Sequence, residues 1–561
     1  MNLLNIYRGL TGRRLEEGGE EKDETFGWEK HAWTRENEVI IAEYLLVFFM
    51  LLVATLYLQY FVGKVWKLTW LPESGATMLF GMAIGGIIRL SGASTEDKDS
   101  GASMLGFDST VFFLGFLPPI IFNAGYMINR RLFFANMGGI VALAFIGTAF
   151  STLLVGLGLW ALGKAGMSHE ISLMETICFG SLISATDPVS TLAVFTELRV
   201  DPTLFYLVFG ESVMNDAVAI TLFRTTGKYV GLEIGVEEGI VAFLDFVISF
   251  VGSVVIGYGL GLFFAWMFKK VNMNHHNHIL VTIFVGTVYI PFFLAETLQL
   301  SGIVTILFTA ITAKRYSNRN MDAEAKHQCA FVFEVMAYLS ETAVFMYLGL
   351  NVFAKANSDA YKWAFIIWTF IIIIVGRGMH VYPLLGLVNR YRTKRAIQKN
   401  RQPVLITENT KHMVFFSGLR GAVAYACANI FPDEKGNREM IVTTTMVIAL
   451  VTILMKGGFT VRMLKILNIE TGVDAQPFAD KLKVTAKPYR FLLWEQRNIY
   501  PWIIRDFNPS TDMDISSERV DMGDHGEGDW DHTDPTDVDG DVEMQDESGR
   551  LVGGYVSSSE N

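Results

Sequence analysis

Charge is scarce in this sequence, and that scarcity limits the reading first. Only 18% of the 561 residues are Asp, Glu, Lys or Arg, 51% are hydrophobic and the mean hydropathy is +0.34. Such a balance excludes a soluble globular protein of this size. Cysteine is nearly absent. Cys178, Cys329 and Cys427 all fall in apolar stretches, which argues against a disulfide framework and makes them small core residues. No nucleophile elbow, P-loop, HExxH or CxxC pair occurs, so covalent catalysis and ATP hydrolysis have no foothold, and neither an enzyme nor a cofactor is expected. The opening segment MNLLNIYRGLTGRRLEEGGEEKDE lacks an apolar run with a cleavage site, so the first long apolar run is expected to act as the targeting signal. The net charge of -11 belongs largely to the two ends, Glu16 to Glu38 and Asp512 to Glu560, and nucleic acid is not an expected partner.

What the sequence has in abundance is long apolar runs. Stretches near the membrane length recur at about 39–63, 73–92, 110–128, 133–163, 173–196, 203–223, 239–268, 279–297, 300–313, 328–353, 363–389, 412–431 and 438–466, giving about thirteen spans. The expected fold is all-α and polytopic. An odd count puts the tails on opposite sides, and Lys and Arg concentrate in the loops that are cytoplasmic if the C-terminus is. These hold Lys64, Lys67, Arg130, Arg131, Arg199, Lys269, Lys270, Lys314, Arg315 and the cluster Arg390 to Lys411. The loops STEDKDSGAS and that of Glu233, Glu237 and Glu238 are acidic or weakly charged and fall outside. The expected organisation is a polar N-terminal segment (1–38), a transmembrane domain (39–470), a juxtamembrane amphipathic segment (471–510) and an acidic disordered tail (511–561) open to regulatory proteins. In PYRFLLWEQRNIYPWIIRDF, Trp494, Trp502 and Phe507 alternate with Arg490, Arg497 and Arg505. That pattern suits either the membrane surface or a short helix packed on the inner face.

Two spans contain helix breakers at mid-membrane depth. In SLISATDPVSTLAVF, Pro188 removes a backbone donor and disfavours helix at Asp187, so the helix should fail near Thr186. In FFSGLRGAVAY, Gly418 and Gly421 weaken the helix around Arg420. Irregular backbone at that depth is tolerated only where it is buried or lines a cavity. The breaks lie seven spans apart, as expected if spans one to six and eight to thirteen are inverted repeats. Half-helix ends place partial charges near the midplane, which Asp187 and Arg420 are positioned to offset.

Intramembrane charges are few and therefore informative. Within LFYLVFGESVMNDAVAITLF, Glu211 and Asn215 share a helix face and Asp216 looks about 100° to one side. Asp216 is the first candidate ion ligand, because one carboxylate can hold a metal cation or a proton but seldom both, and such competition gives antiport. Asn215 either ligates the ion or holds the broken span by hydrogen bonds. Ser212 and Thr186 are neutral oxygen candidates of the kind hard cations prefer. Arg377, in FIIIIVGRGMHVY, needs an acid, and Glu211 is its expected partner, with Arg420 as the competing choice for Glu211. Glu341 and Glu296 either line the ion path or bond a neighbouring helix. His380 reads as a packed histidine, and HHNH at 275–278 as a solvated turn rather than a metal cluster.

LPPIIFNAGY (117–126), SATDPVSTLAVF (184–195), FGESVMNDAVAI (209–220) and FSGLRGAVAYA (416–426) resemble, in order and spacing, the eukaryotic sodium/proton exchangers of the monovalent cation/proton antiporter superfamily. The resemblance runs from about residue 40 to about 470. It implies the sodium/proton antiporter fold, with inverted repeats and two broken crossing helices, as a homodimer whose six-helix core moves elevator-like against a dimerisation part. Asp216 matches the ion-binding aspartate and Asn215 its partner. Thr186 and Asp187 match the crossover, and Ser212 a ligand beside it. Glu211 and Arg377 match the core ion pair, and Arg420 the arginine of the second break. An Asn-Asp motif goes with electroneutral one-for-one exchange. Phe122-Asn123 and TTTMVIALVTILMKGG (443–458) look like the endosomal and Golgi branch. The resemblance thus favours an endomembrane exchanger of Na⁺ or K⁺ for H⁺, of endosome, Golgi or vacuole, with the plasma membrane as the alternative location and membrane lipid as a partner. A cation channel, or a scaffold with a vestigial site, remains the alternative.

Overall fold

The computed structural model describes residues 35–66, 68, 70–90, 109–128, 130–187, 189–231, 236–271, 276–354, 360–398, 405–433, 436–473, 494–495 and 497–505. The acidic tail, residues 1–34 and Pro188 lie outside these. Among the described residues the regular structure is helical and contains no strand, as apolar backbone in hydrocarbon requires. Ten helices are long and apolar enough to cross a membrane. The runs at 73–92, 300–313 and 412–431 are helical but are not among the ten. The first carries Glu73 and Arg89 at its ends, the second is only 14 residues long, and the third is interrupted.

The chain order is α1 (Arg35–Tyr60), α2 (Glu73–Leu90), α3 (Leu117–Tyr126), α4 (Arg130–Val141), α5 (Thr148–Lys164), α6 (Leu173–Ser184), α7 (Val189–Glu197) and α8 (Pro202–Gly227). There follow α9 (Val236–Lys270), α10 (Asn277–Thr297), α11 (Gly302–Arg315), α12 (Ala323–Ala354), α13 (Trp363–Gln398), α14 (Glu408–Phe416), α15 (Ala422–Asn429), α16 (Arg438–Thr452), α17 (Gly458–Ile466) and the short α18 (Tyr500–Ile503). A π turn joins α4 to α5 at Ala142–Gly147, and another joins α16 to α17 at Ile453–Gly457.

The helices sort into two packed sets. In one, α2 lies along α12, α9 along α11, and α3 and α10 fill between them. In the other, α5 packs on α6, α8 on α4 and α6, α13 on α5, and α15 on α16. Small residues permit the closest approaches. A Cβ at Gly349 would collide with the backbone of Met78, and one at Gly85 with the carbonyl of Leu350, so α2 and α12 meet backbone to backbone. Between membrane helices there is no water-driven attraction, and such contact gains dispersion energy directly.

Residues 494, 495 and 497–505 of the juxtamembrane stretch are described. Tyr500, Ile503 and Ile504 are buried against Ala265 and Tyr316, and Glu495 pairs with Arg315 and accepts from the Tyr316 hydroxyl. Burial pushes the Glu495 carboxyl above its ordinary range, opposed by the Arg315 guanidinium. Trp494 and Trp502 remain exposed on the other face. These described residues are therefore packed against Ala265 of α9 and against Arg315 and Tyr316 at the end of α11.

Candidate functional site

The backbone leaves helical geometry within two of the apolar runs. α6 stops at Ser184, residues 185–187 are extended, and α7 starts at Val189. α14 stops at Phe416, residues 418–420 are non-helical, and α15 starts at Ala422. The two interruptions touch, because the Asp187 N–H donates to the Leu419 carbonyl at 3.1 Å. They approach closely enough that a Cβ at Gly421 would collide with the Asp187 carboxylate, which gives Gly421 a steric role beside its weak helix propensity.

Each half-helix end is met by a group of suitable sign. Arg420 Nη1 donates to the carbonyls of Ser184 at 2.9 Å and Ala185 at 3.0 Å, closing the carbonyl end of α6. The Asp187 carboxylate accepts from the Val189 N–H at 3.2 Å and from the backbone of Ala422, so one acid serves the starts of both α7 and α15.

α8 supplies the wall of the first break. Ser212 donates to the Thr186 carbonyl at 2.9 Å, and Asn215 Nδ2 donates to Ser184 O at 3.1 Å and Thr186 Oγ1 at 2.8 Å. The Asn215 amide oxygen accepts from Thr148 at 2.7 Å. Both ends of this amide are thus engaged with protein, the holding role of the two considered for Asn215. Asp216 is only 8% exposed, and its Oδ1 is buried with no hydrogen-bond partner among the described residues. The charges it feels are those of Asp187 and Arg420. A buried carboxylate oxygen without a hydrogen-bond partner can take a cation or a proton, and Ser151 Oγ, Arg377 Nε and Arg420 Nε nearby are likewise without one among the described residues.

Glu211 is turned away from that oxygen. Its carboxylate accepts from both Arg377 Nη1 and Nη2, the latter at 3.0 Å, and Nη2 also donates to Val414 O at 2.8 Å. The pair is 2% and 4% exposed. Arg420 instead serves the first break, so the competing pairing for Glu211 is not the one adopted. Thr148, Ser151, Ser184, Glu211, Arg377 and Arg420 line a narrow polar crevice here.

Of the other acids, Glu341 on α12 lies near enough to Asp187 to feel its charge. Glu296 sits elsewhere, at the far end of α10. Both its oxygens accept from Arg224 Nη1 at 2.8 Å, and Oε1 also accepts from the Gly302 N–H at 3.1 Å. This pair borders a second cavity of about 290 Å³, lined also by Thr221, Lys228, Gln299 and Ser301. His380 is 6% exposed and packs against Gly147 and Phe150. His276 and His278 flank the start of α10, His275 lies outside the described residues, and no cluster of three metal-ligating side chains occurs among the described residues.

Residues at the site that were not singled out in the sequence include Thr148, Arg224, Thr452, which accepts from the Arg420 N–H, and Lys456, which donates to the Gly418 carbonyl. Lys456 had a signal, a cation within an apolar run, whereas Arg224 stands just past the run that ends at 223. The two threonines had none, since a hydroxyl in a membrane helix normally bonds its own backbone.

Two interrupted helices that cross beside a buried acid, in an all-helical membrane protein, define the cation/proton antiporter fold. The chain superposes on the sodium proton antiporter MjNhaP1 from Methanocaldococcus jannaschii with a TM-score of 0.55, over 76% of this chain and 99% of that one, at 16% identity. The chain belongs to the sodium/hydrogen exchanger family, whose transmembrane domain it matches over residues 42–466. It is 35% identical to sodium/hydrogen exchanger 8 of Homo sapiens over 72% of this chain and 68% of that protein. It is also 34% identical to sodium/hydrogen exchanger 9 of Rattus norvegicus over 77% of this chain and 73% of that one. An uncharacterized Na(+)/H(+) antiporter of Schizosaccharomyces pombe matches at 35% over 78% and 75%.

Proposed function

We propose that this exchanger carries Na⁺ or K⁺ against H⁺, one for one and without net current, across an endomembrane, and that Asp216 is the group for which they compete. The observation that supports it most is the buried Oδ1 of Asp216, a carboxylate oxygen without a hydrogen-bond partner among the described residues, beside the two helix interruptions. With Glu211 paired to Arg377 and the Asp187 carboxylate bonded to helix starts, Asp216 is the carboxylate that exchanges one monovalent cation for one proton. Asn215, Ser212, Thr186 and Asp187 then hold the crossover in shape, and Thr186 and Ser212 offer neutral oxygens. The likeness of 443–458 to the endosomal and Golgi branch favours an intracellular membrane. A homodimer with lipid at its interface and regulators at the tail completes the reading. The test is purified protein in vesicles with an internal pH dye, assayed with Na⁺, K⁺ and Li⁺ at several pH values. Dye-detected exchange without current supports antiport, whereas a large conductance replaces it with a channel.

Alternating access by an elevator motion fits the two sets of helices and the few polar ties between them. One tie is Arg224 on α8 to Glu296 on α10, with side chains 32% and 25% exposed. Such a partly solvated pair contributes about 0–1 kcal/mol to stability. If α8 slides past α10, the 2.8 Å contact must open once per cycle. Arg224→Ala is therefore expected to raise the maximal exchange rate several-fold while barely changing the unfolding temperature. An unchanged rate would show that turnover does not require this pair to part.

A further inference from the structure

Thr452 and Lys456 are four residues apart across the π turn at Ile453–Gly457, and both grip the second break. The Arg420 N–H donates to Thr452 Oγ1 at 3.1 Å, and Lys456 Nζ donates to the Gly418 carbonyl at 2.7 Å. The helix that follows a broken span thus holds the broken span at both ends of its irregular stretch. α8 does the same for the first break, through Ser212 to Thr186 and Asn215 to Ser184. The two grips stand in equivalent places, for α8 follows α6 and α7 as α16 follows α14 and α15. Ser212 precedes Asp216 by four residues, and Thr452 precedes Lys456 by four. The register that carries the free carboxylate in the first half carries a cation in the second.

We infer that Lys456 is a positioning residue of the ion site. Gly418 O lies just past the end of α14, at a depth where no bulk water can solvate it, and a carbonyl there needs a donor. An ammonium supplies one and also balances the negative end of the half-helix dipole. It does so beside two other cations, Arg377 and Arg420, whose charges it feels. Three cations gather here because two half-helix carbonyl ends do: Arg420 serves α6, and Arg377 and Lys456 serve α14 through Val414 and Gly418. The space is tight, because a Cβ at Gly418 would stand 2.7 Å from Arg377 Nε. Fixing Gly418 therefore fixes the stretch to Arg420, whose guanidinium reaches across to Ser184 and Ala185 beside Asp216. The π turn is the local cost of this placement, since widened turns in α-helices recur where a side chain must be re-aimed for function.

The inference rests on Asp216 being the exchange site, and the test separates the two. Full-length Lys456→Met, Lys456→Gln and Lys456→Arg are reconstituted beside wild type and Asp216→Asn, and apparent KM, maximal rate and unfolding midpoint are measured for each. Losing one charged hydrogen bond at the break should raise the cation KM about tenfold in Lys456→Met. Lys456→Arg should return it to within about twofold of wild type, and the midpoints should stay close to wild type. Should Lys456→Met fail to fold, Lys456→Gln carries the same expectation in weaker form. A KM unchanged in the neutral variants, or a rate that falls only with the fraction of folded protein, overturns the positioning role. Exchange that persists in Asp216→Asn overturns the site reading instead, whatever the lysine variants do.

Discussion

If Asp216 is the exchange site, Asp216→Asn is expected to reduce exchange to the rate of empty vesicles. The substitution is nearly isosteric, so it leaves no cavity and keeps α8 packed as it is. It removes the negative charge and the titratable proton together. A desolvated monovalent cation at this depth needs an anionic oxygen, and the neighbouring acid Glu211 is committed to Arg377. Asp187 cannot substitute, because its carboxylate is held by the starts of α7 and α15. Asp216→Glu offers the control: it keeps the charge but moves it by one methylene, and should retain slow exchange with an altered cation KM. Proton uptake by a pH dye, driven by an imposed Na⁺ gradient, reads both. Exchange at the wild-type rate in Asp216→Asn would move the site to another acid, with Glu341 the next candidate.

Arg377→Ala acts on stability rather than on the transported ion. It leaves Glu211 as an uncompensated charge at 2% exposure and strips the Val414 carbonyl of its donor. Breaking a buried pair by removing one partner costs about 3–5 kcal/mol. The unfolding midpoint in detergent should drop accordingly, and much of the protein should fail to mature. A double variant, Glu211→Gln with Arg377→Met, removes both charges and should recover a substantial part of the loss, because the penalty comes from the orphaned ion more than from the missing attraction. A midpoint for Arg377→Ala equal to that of wild type would show that Glu211 is neutral or solvated in the folded protein.

The breaks and the central charges were legible because both are costly in hydrocarbon. Pro188, Gly418 and Gly421 announce irregular backbone in apolar runs, and Asp216, Glu211 and Arg377 announce charges that must be used or paired. The pairing of Glu211 with Arg377 could be read because each lacked a local partner. The pairing of Glu296 with Arg224 could not. Their 72-residue separation crosses from one helix set to the other, and Arg224 sits near a helix end, where a cation ordinarily reaches water. Asn215 stayed ambiguous for a chemical reason: an amide is donor and acceptor at once, and only its neighbours Thr148, Ser184 and Thr186 decide which role it plays. The short α11 and the interrupted α14 and α15 fell at the edge of legibility, since a run of 14 residues, or one cut by glycines, gives a weak hydropathy signal.

The Glu211 to Arg377 pair also has a history in time. The two residues are 166 positions apart, and at a synthesis rate of about 5–20 residues per second the arginine leaves the ribosome roughly 8–33 s after the glutamate. For that interval the acid is in or beside the bilayer with its guanidinium still unmade. A newborn chain must therefore keep this part of α8 at a wet boundary, or give Glu211 another partner, until the second half arrives. Biogenesis, rather than transport, is the stage at which this chain is most exposed to a point mutation in its eleventh apolar run.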